Sequence, residues 1–189
     1  MKAHISAYSS QLIEVLQGHD WQTVEVLGET LLDAVLNDKQ VFICGNGGSA
    51  GNAIHIANDF IYGIAPGKKV MRVEALPANQ SVITCLGNDI GYDNIFGYQV
   101  TAKGRENDVL IVLSGSGNSP NIIKAIDAAD QVGMTTFGIL GYSGGKAKSL
   151  VDHAIHFAID DMQIAEDTQL IVGHMVMKYL FSELEKHNG

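Results

Sequence analysis

At 189 residues, with 46% hydrophobic and 17% charged, the chain can bury a sizeable core in a single domain and is not a disordered tail. Its formal net charge of -9, with no cluster of Lys or Arg, excludes a protein that grips nucleic acid through backbone phosphates, since that affinity is driven by cations. A small metabolite or a protein partner fits better.

Residues Met1 to Asp20 mix Lys, His, Glu and Asp with isolated apolar residues, unlike a signal peptide. No stretch approaches the ~18 uninterrupted apolar residues of a membrane span, so a soluble, cytoplasmic protein is expected, with neither a membrane nor nucleic acid as partner. From Ser6 to Asn37 apolar residues recur at helical spacing, among them Leu12, Val15, Leu16, Val24, Leu27, Leu31 and Val35, which predicts two helices broken near Gly18-His19-Asp20. Amphipathicity leaves open whether faces such as Leu27/Leu31 and Met175/Met177 fill the core or pack between subunits.

Four short apolar runs follow, Gln40–Cys44, Val70–Ala75, Val109–Leu113 and Thr135–Leu140, each bounded by Gly, Asn, Asp or Ser and each the length of a buried parallel strand. A fifth, with alternating character, covers Ala154–Ile159. Helix-like segments lie between and around them at Ala50–Tyr62, Ser81–Leu86, Ile95–Ala102, Asn121–Val132 and Ala147–Val151, and a long one closes the chain at Asp167–His187. Alternation of strand and helix predicts an α/β fold, a three-layer αβα sandwich on a mostly parallel sheet. One domain spans residues 1–189, with a helical segment over 1–37 and an α/β core with its C-terminal helix over 38–189. Cys44 and Cys85 each sit in an apolar run without a CxxC partner, and both are expected buried and reduced.

Ligands of open parallel sheets bind at the carboxyl ends of strands, which directs attention to two glycine-rich strand exits. Ser114-Gly115-Ser116-Gly117-Asn118-Ser119 opens directly into a helix and offers hydroxyls and unobstructed amides at a helix start, a cradle suited to a phosphate monoester. The same residues also make ordinary turns and helix caps. Neither exit carries the Lys of a P-loop or GxGxxG spacing, so nucleoside triphosphates and NAD are disfavoured.

The other exit, Gly45-Asn46-Gly47-Gly48-Ser49, leads to His55 and Asp59, one helical turn apart on one face. Such a pair is also a common surface contact. A second pair, Glu166 and His174, falls about two turns apart if the last helix begins by Glu166, and His174, bracketed by Ile171, Met175 and Met177, reads as partly buried. Two His/carboxylate pairs leave a mixed N/O metal site and an acid/base pair as the readings, alongside plain structural roles.

Cys44-Gly45-Asn46-Gly47-Gly48-Ser49, Gly87-Asn88-Asp89 and Ser114-Gly115-Ser116-Gly117-Asn118-Ser119 together resemble a sugar-isomerase (SIS) domain. More narrowly they resemble the phosphoheptose isomerase group, which also contains a DnaA-binding, replication initiator-associating protein. The resemblance implies conversion of sedoheptulose 7-phosphate to D-glycero-D-manno-heptose 7-phosphate, a homotetramer with the site built across subunits, and a zinc ion. It places phosphate or substrate binding on Asn46, Gly47, Ser49, Asp89, Ser114, Gly115, Ser116 and Ser119, and matches His55 and His174 to the group's two helix histidines.

Several positions depart from the group's pattern. Asp59 stands where the group has a catalytic Glu, Glu166 where it has Gln, Gln169 where it has a His, and Gly63 where it usually has an Arg. The expected roles are Asp59 as base and His174 as acid, with Zn²⁺ held by His55, Asp59, Glu166 and His174. The anionic set favours a divalent cation, since without one the carboxylates repel each other. Two other functions remain open: isomerisation of a different phosphosugar, and a non-catalytic SIS protein that binds a replication initiator or senses a phosphosugar.

Overall fold

The structure, a computed structural model, describes residues 1–65 and 71–187. Helices α1 (Lys2–Gln17) and α2 (Gln22–Leu36) precede the sheet. The α/β part then runs β1 (Gln40–Gly45), α3 (Gly48–Asn58), β2 (Arg72–Ala75), α4 (Gln80–Asp89), α5 (Gly97–Lys103), β3 (Val109–Ser114), α6 (Pro120–Val132), β4 (Thr135–Leu140), α7 (Ala147–Leu150), β5 (His153–His156) and α8 (Met162–His187). The five strands are parallel throughout in the order β2-β1-β3-β4-β5, and helices cover both faces.

Central strands β1, β3 and β4 are apolar through their middles, with polar residues only at their ends, because both of their faces are covered. All six residues of β3 are buried. Val41, Ile43, Val109, Ile111 and Leu113 join α2, α3 and α8 in one core, while Phe42, Cys44, Leu110 and Val112 join α5 and α6 in the other. Leu27 and Leu31 lie in the first core and Met177 packs on it, whereas Met175 is exposed, so the two faces that amphipathicity left open divide between core and surface. Helices α1 and α4 bury no residue fully.

Element boundaries differ from the pattern reading where caps and turns decide them. Helix α8 starts at Met162 rather than Asp167 because Asp161 caps it, its carboxylate accepting from Ile164 N at 3.1 Å. Helix α3 starts at Gly48 and passes into a π-helical turn, Asp59–Gly63, a widening of the ladder that often marks a functional position. Strand β5 ends at His156, where Phe157 and Ile159 enter a turn. Val70, read as the start of the second strand, lies outside the described residues. Among those described, no helix is long and apolar enough to cross a membrane.

Candidate active site

The chain leaves β1 for β2 on one side and reaches β3 on the other, so the crevice between the carboxyl ends of β1 and β3 is the sheet's topological switch point. A cavity of about 260 Å³ opens there. Asn46, Gly47 and Ser49 line it from the first exit, and Ser114, Gly115, Ser116 and Ser119 from the second. Seven of the eight expected phosphate or substrate residues therefore converge. Asp89 does not: it is exposed at the end of α4, accepting from Asn88 Nδ2 and Cys85 Sγ. Cys85 is likewise exposed rather than buried, because α4 turns that face outward, and its bond to Asp89 holds the thiol above its ordinary pKa.

At the second exit, Ser114 Oγ accepts from Gly117 N at 3.0 Å and Ser116 Oγ from Asn118 N at 3.3 Å. These bonds use oxygen lone pairs and leave both hydroxyl protons to donate. Ser119 is the N-cap of α6 but makes no side-chain cap bond, so its hydroxyl is also open to a ligand at the positive end of a 13-residue helix. Gly117 has φ 65° and packs so closely on Gly144 that a Cβ there would collide with its carbonyl oxygen, so only Gly fits this turn. No Lys or Arg lines the cavity among the described residues; the donors it offers are neutral hydroxyls and the helix end.

At the first exit the side-chain amide of Asn46 already has partners. Asn46 and Asn121 exchange two amide hydrogen bonds, each 2.8 Å, and Tyr92 Oη donates to Asn46 Oδ1 at 3.0 Å. Asn121, only 1% exposed, is a site residue that pattern reading misses. Its signal was an amide on the inward face of α6, one turn before buried Ala125. The carboxylate of Glu166 lies against Gly48, leaving no room for a Cβ there, and so sets an internal anion at the start of α3.

Two turns along α3, His55 Nε2 lies 3.0 Å from His174 Nε2, and Asp59 Oδ2 lies 3.4 Å from each. Three ligand atoms bound tetrahedrally at ~2.0–2.1 Å would be about 3.3 Å apart, so this spacing fits a zinc-type centre. The imidazoles are half-exposed, 50% and 48%, and Asp59 is 20% exposed. His174 is thus more open to solvent than its apolar neighbours in sequence imply, because the α8 helix turns it toward α3 while its neighbours at Val172 and Val176 face the core. The metal-type cluster comprises His55, Asp59 and His174. Glu166, expected as a fourth ligand, stands apart from it at the phosphate-type cavity.

A SIS domain profile matches residues 6–141. Over 189 aligned residues the chain is 37% identical to a phosphoheptose isomerase of Clostridium acetobutylicum, covering 97% of this chain and 96% of that protein. The chain belongs to the phosphoheptose isomerase group of the SIS family. A phosphoheptose isomerase of Aneurinibacillus thermoaerophilus is 32% identical, over 93% of this chain and 89% of its own. The structure of phosphoheptose isomerase from Neisseria gonorrhoeae superposes with a TM-score of 0.87 at 29% identity, covering 96% of this chain and 98% of that one.

Within this group, the positions where the chain departs from the expected pattern all fall on the seam between α3 and α8. Gly48 meets Glu166, Asn52 bonds Gln169, Ile56 meets Gly173, Asp59 approaches His174 and Gly63 meets Met177. Both helices ascend together along this seam. At Gly63, which carries no side chain, a Cβ would lie 3.0 Å from Met177 Sδ.

Proposed function

We propose that the chain is a phosphosugar aldose-ketose isomerase whose substrate is a ketoheptose phosphate, sedoheptulose 7-phosphate being the favoured one. The carrying observation is that the serine cradle and the His55/Asp59/His174 cluster lie at two ends of one helical seam. From Gly48 to His55 is seven residues, a rise of about 10 Å. An open-chain sugar phosphate held at its phosphoryl end can lay its first carbons at the cluster, converting the chemistry into an oriented, intramolecular-like step.

Ser114, Ser116 and Ser119 donate to the phosphoryl oxygens, with the first turn of α6 behind them. Asp59 removes the proton next to the carbonyl and returns it to the neighbouring carbon on the same face. His174 gives a proton to the carbonyl oxygen as the cis-enediolate forms and takes one from the adjacent hydroxyl as it collapses. His55 holds the Asp59 carboxylate in place. Zn²⁺ suits these three side chains, and when bound it supplies charge stabilisation to the sugar oxygens. A carboxylate that binds zinc tightly is a weak base, and an imidazole bound through Nε2 has no proton there to give, so Asp59 and His174 each serve the metal and the proton transfers in turn rather than together.

The whole chain acts as one cytoplasmic SIS unit, since α8, beyond the matched stretch, supplies His174. Exposed Ile5, Tyr8 and Ile13 on α1 support assembly through that helix, with a homotetramer as the proposed state and Asp89 reaching a neighbouring subunit's site. The test is turnover of a panel of ketoheptose and ketohexose phosphates, with and without chelator, by the native chain and by Asp59→Asn and His174→Gln. Loss in both variants supports the reading; full activity in both ends it.

A further inference from the structure

Between the cavity and the His/Asp/His cluster, one pair of side chains crosses the seam. Asn52 Nδ2 donates to the Glu166 carbonyl oxygen at 3.0 Å and to Gln169 Oε1 at 2.9 Å. The orientation of both amides follows from chemistry. A backbone carbonyl accepts only, so Asn52 must present its nitrogen, and Gln169 must then present its oxygen. That leaves Gln169 Nε2 pointing away, buried and without a hydrogen-bond partner among the described residues, on a side chain that is 1% exposed.

An unpaired buried N–H group costs about 1–3 kcal/mol, a cost that a leucine at the same place would avoid. Packing alone therefore does not account for an amide at position 169. Asn52 stands three residues before His55 on α3, and Gln169 five before His174 on α8. The pair pins the two helices immediately before each delivers its imidazole.

We propose that Asn52 and Gln169 are positioning residues: their amide bridge sets the register of α3 against α8, and so the separation of His55 and Asp59 from His174. This rests on the isomerase reading for its kinetic consequence and on the cluster's three ligand atoms for its metal consequence. Neither side chain touches the cluster; both act through the helices they join. Partners bonded directly to a metal ligand are worth about 10–100-fold in metal affinity or activity, and a bridge one step further out is expected at the lower end of that range.

The decisive variant is Gln169→Leu, which removes the unpaired nitrogen and leaves Asn52 bonded to the Glu166 carbonyl. Its Tm is expected to hold or rise, while Zn²⁺ affinity, read by competition with a colorimetric chelator on the full chain, falls about 10-fold or more. In turnover, kcat falls similarly and KM for the phosphosugar stays within about twofold, because the cradle of residues 114–119 is untouched. Asn52→Leu combined with Gln169→Leu is expected to be no worse in kcat than the worse single variant, as befits two halves of one bridge. A merely structural amide would instead give a lower Tm with Zn²⁺ affinity and kcat per folded molecule unchanged, and that result overturns the proposal. Should the native chain turn over none of the sugars, the isomerase reading fails by itself. Zn²⁺ competition then still decides the bridge, an unchanged affinity in Gln169→Leu refuting it and a tenfold loss sustaining it.

Discussion

At the end of β3 three serine hydroxyls keep their protons for a ligand, whereas at the end of β1 the amide of Asn46 is already engaged within the chain and Ser49 offers a single hydroxyl. Asn46 is paired with Asn121 and Tyr92, and the start of α3 faces the carboxylate of Glu166. Both exits are rich in Gly, Ser and Asn and both lead into a helix, so composition makes them equivalent. The difference lies in what packs over them. The exit with three open hydroxyls is the better suited to grip a phosphoryl group; the other is proposed as a strut, whose helix carries the proposed acid/base and metal-type residues.

The largest effect should come from the helix of the first exit. Asp59→Asn and His174→Gln are each expected to lower kcat by about 10²–10⁴-fold with small changes in KM, measured by steady-state turnover of the ketoheptose phosphate. A comparable loss on chelation, reversed by added Zn²⁺, would tie the same cluster to a metal.

Next come the serines, where the two exits can be compared directly. Ser116→Ala and Ser119→Ala should each raise KM by about 10–100-fold, the worth of a hydrogen bond to a charged group, while Ser49→Ala changes it several-fold less. Equal losses at Ser49 and Ser116 would break the distinction between grip and strut.

Asn121→Leu tests the strut itself. It removes both bonds to Asn46 and leaves a part-buried amide without them, for an expected loss of about 2 kcal/mol and a fall in Tm of about 4–8 °C. The smallest effect is electrostatic: Glu166→Gln removes a negative charge from the rim of the cavity. Inorganic phosphate should then inhibit with about 3–10-fold lower Ki, a gain that shrinks as salt is added.

Strands and most helices were legible because burial on two faces demands unbroken apolar runs and burial on one face demands a 3.6-residue period. Thr135–Leu140 was bounded to the residue, and the other strands within a few. Helix starts were less legible, since α8 begins at a side-chain cap from Asp161 and α3 begins at Gly48 just after the positive-φ turn of Gly47, neither of which a hydrophobic pattern marks. In the site, glycine and serine spacing exposed the cradle and helical spacing paired His55 with Asp59. Spacing paired none of Asn121, Asn52 and Gln169 with its partner, although Gln169 stood out as a departure from the group's pattern, because an amide's partner lies far away in sequence.

The sequence by itself determined the parallel α/β sandwich, the two glycine-rich exits and the family, since these follow from local periodicity and from motifs a few residues long. Only the tertiary structure decided that His174 meets His55 and Asp59 within 3.4 Å, that Glu166 sits at the cavity instead, and that Asp89 stands away from it. The reason is physical: those outcomes depend on the register between α3 and α8, helices over a hundred residues apart in the chain, and that register follows from close packing along the seam, with the Asn52–Gln169 contact crossing it, which no local pattern records.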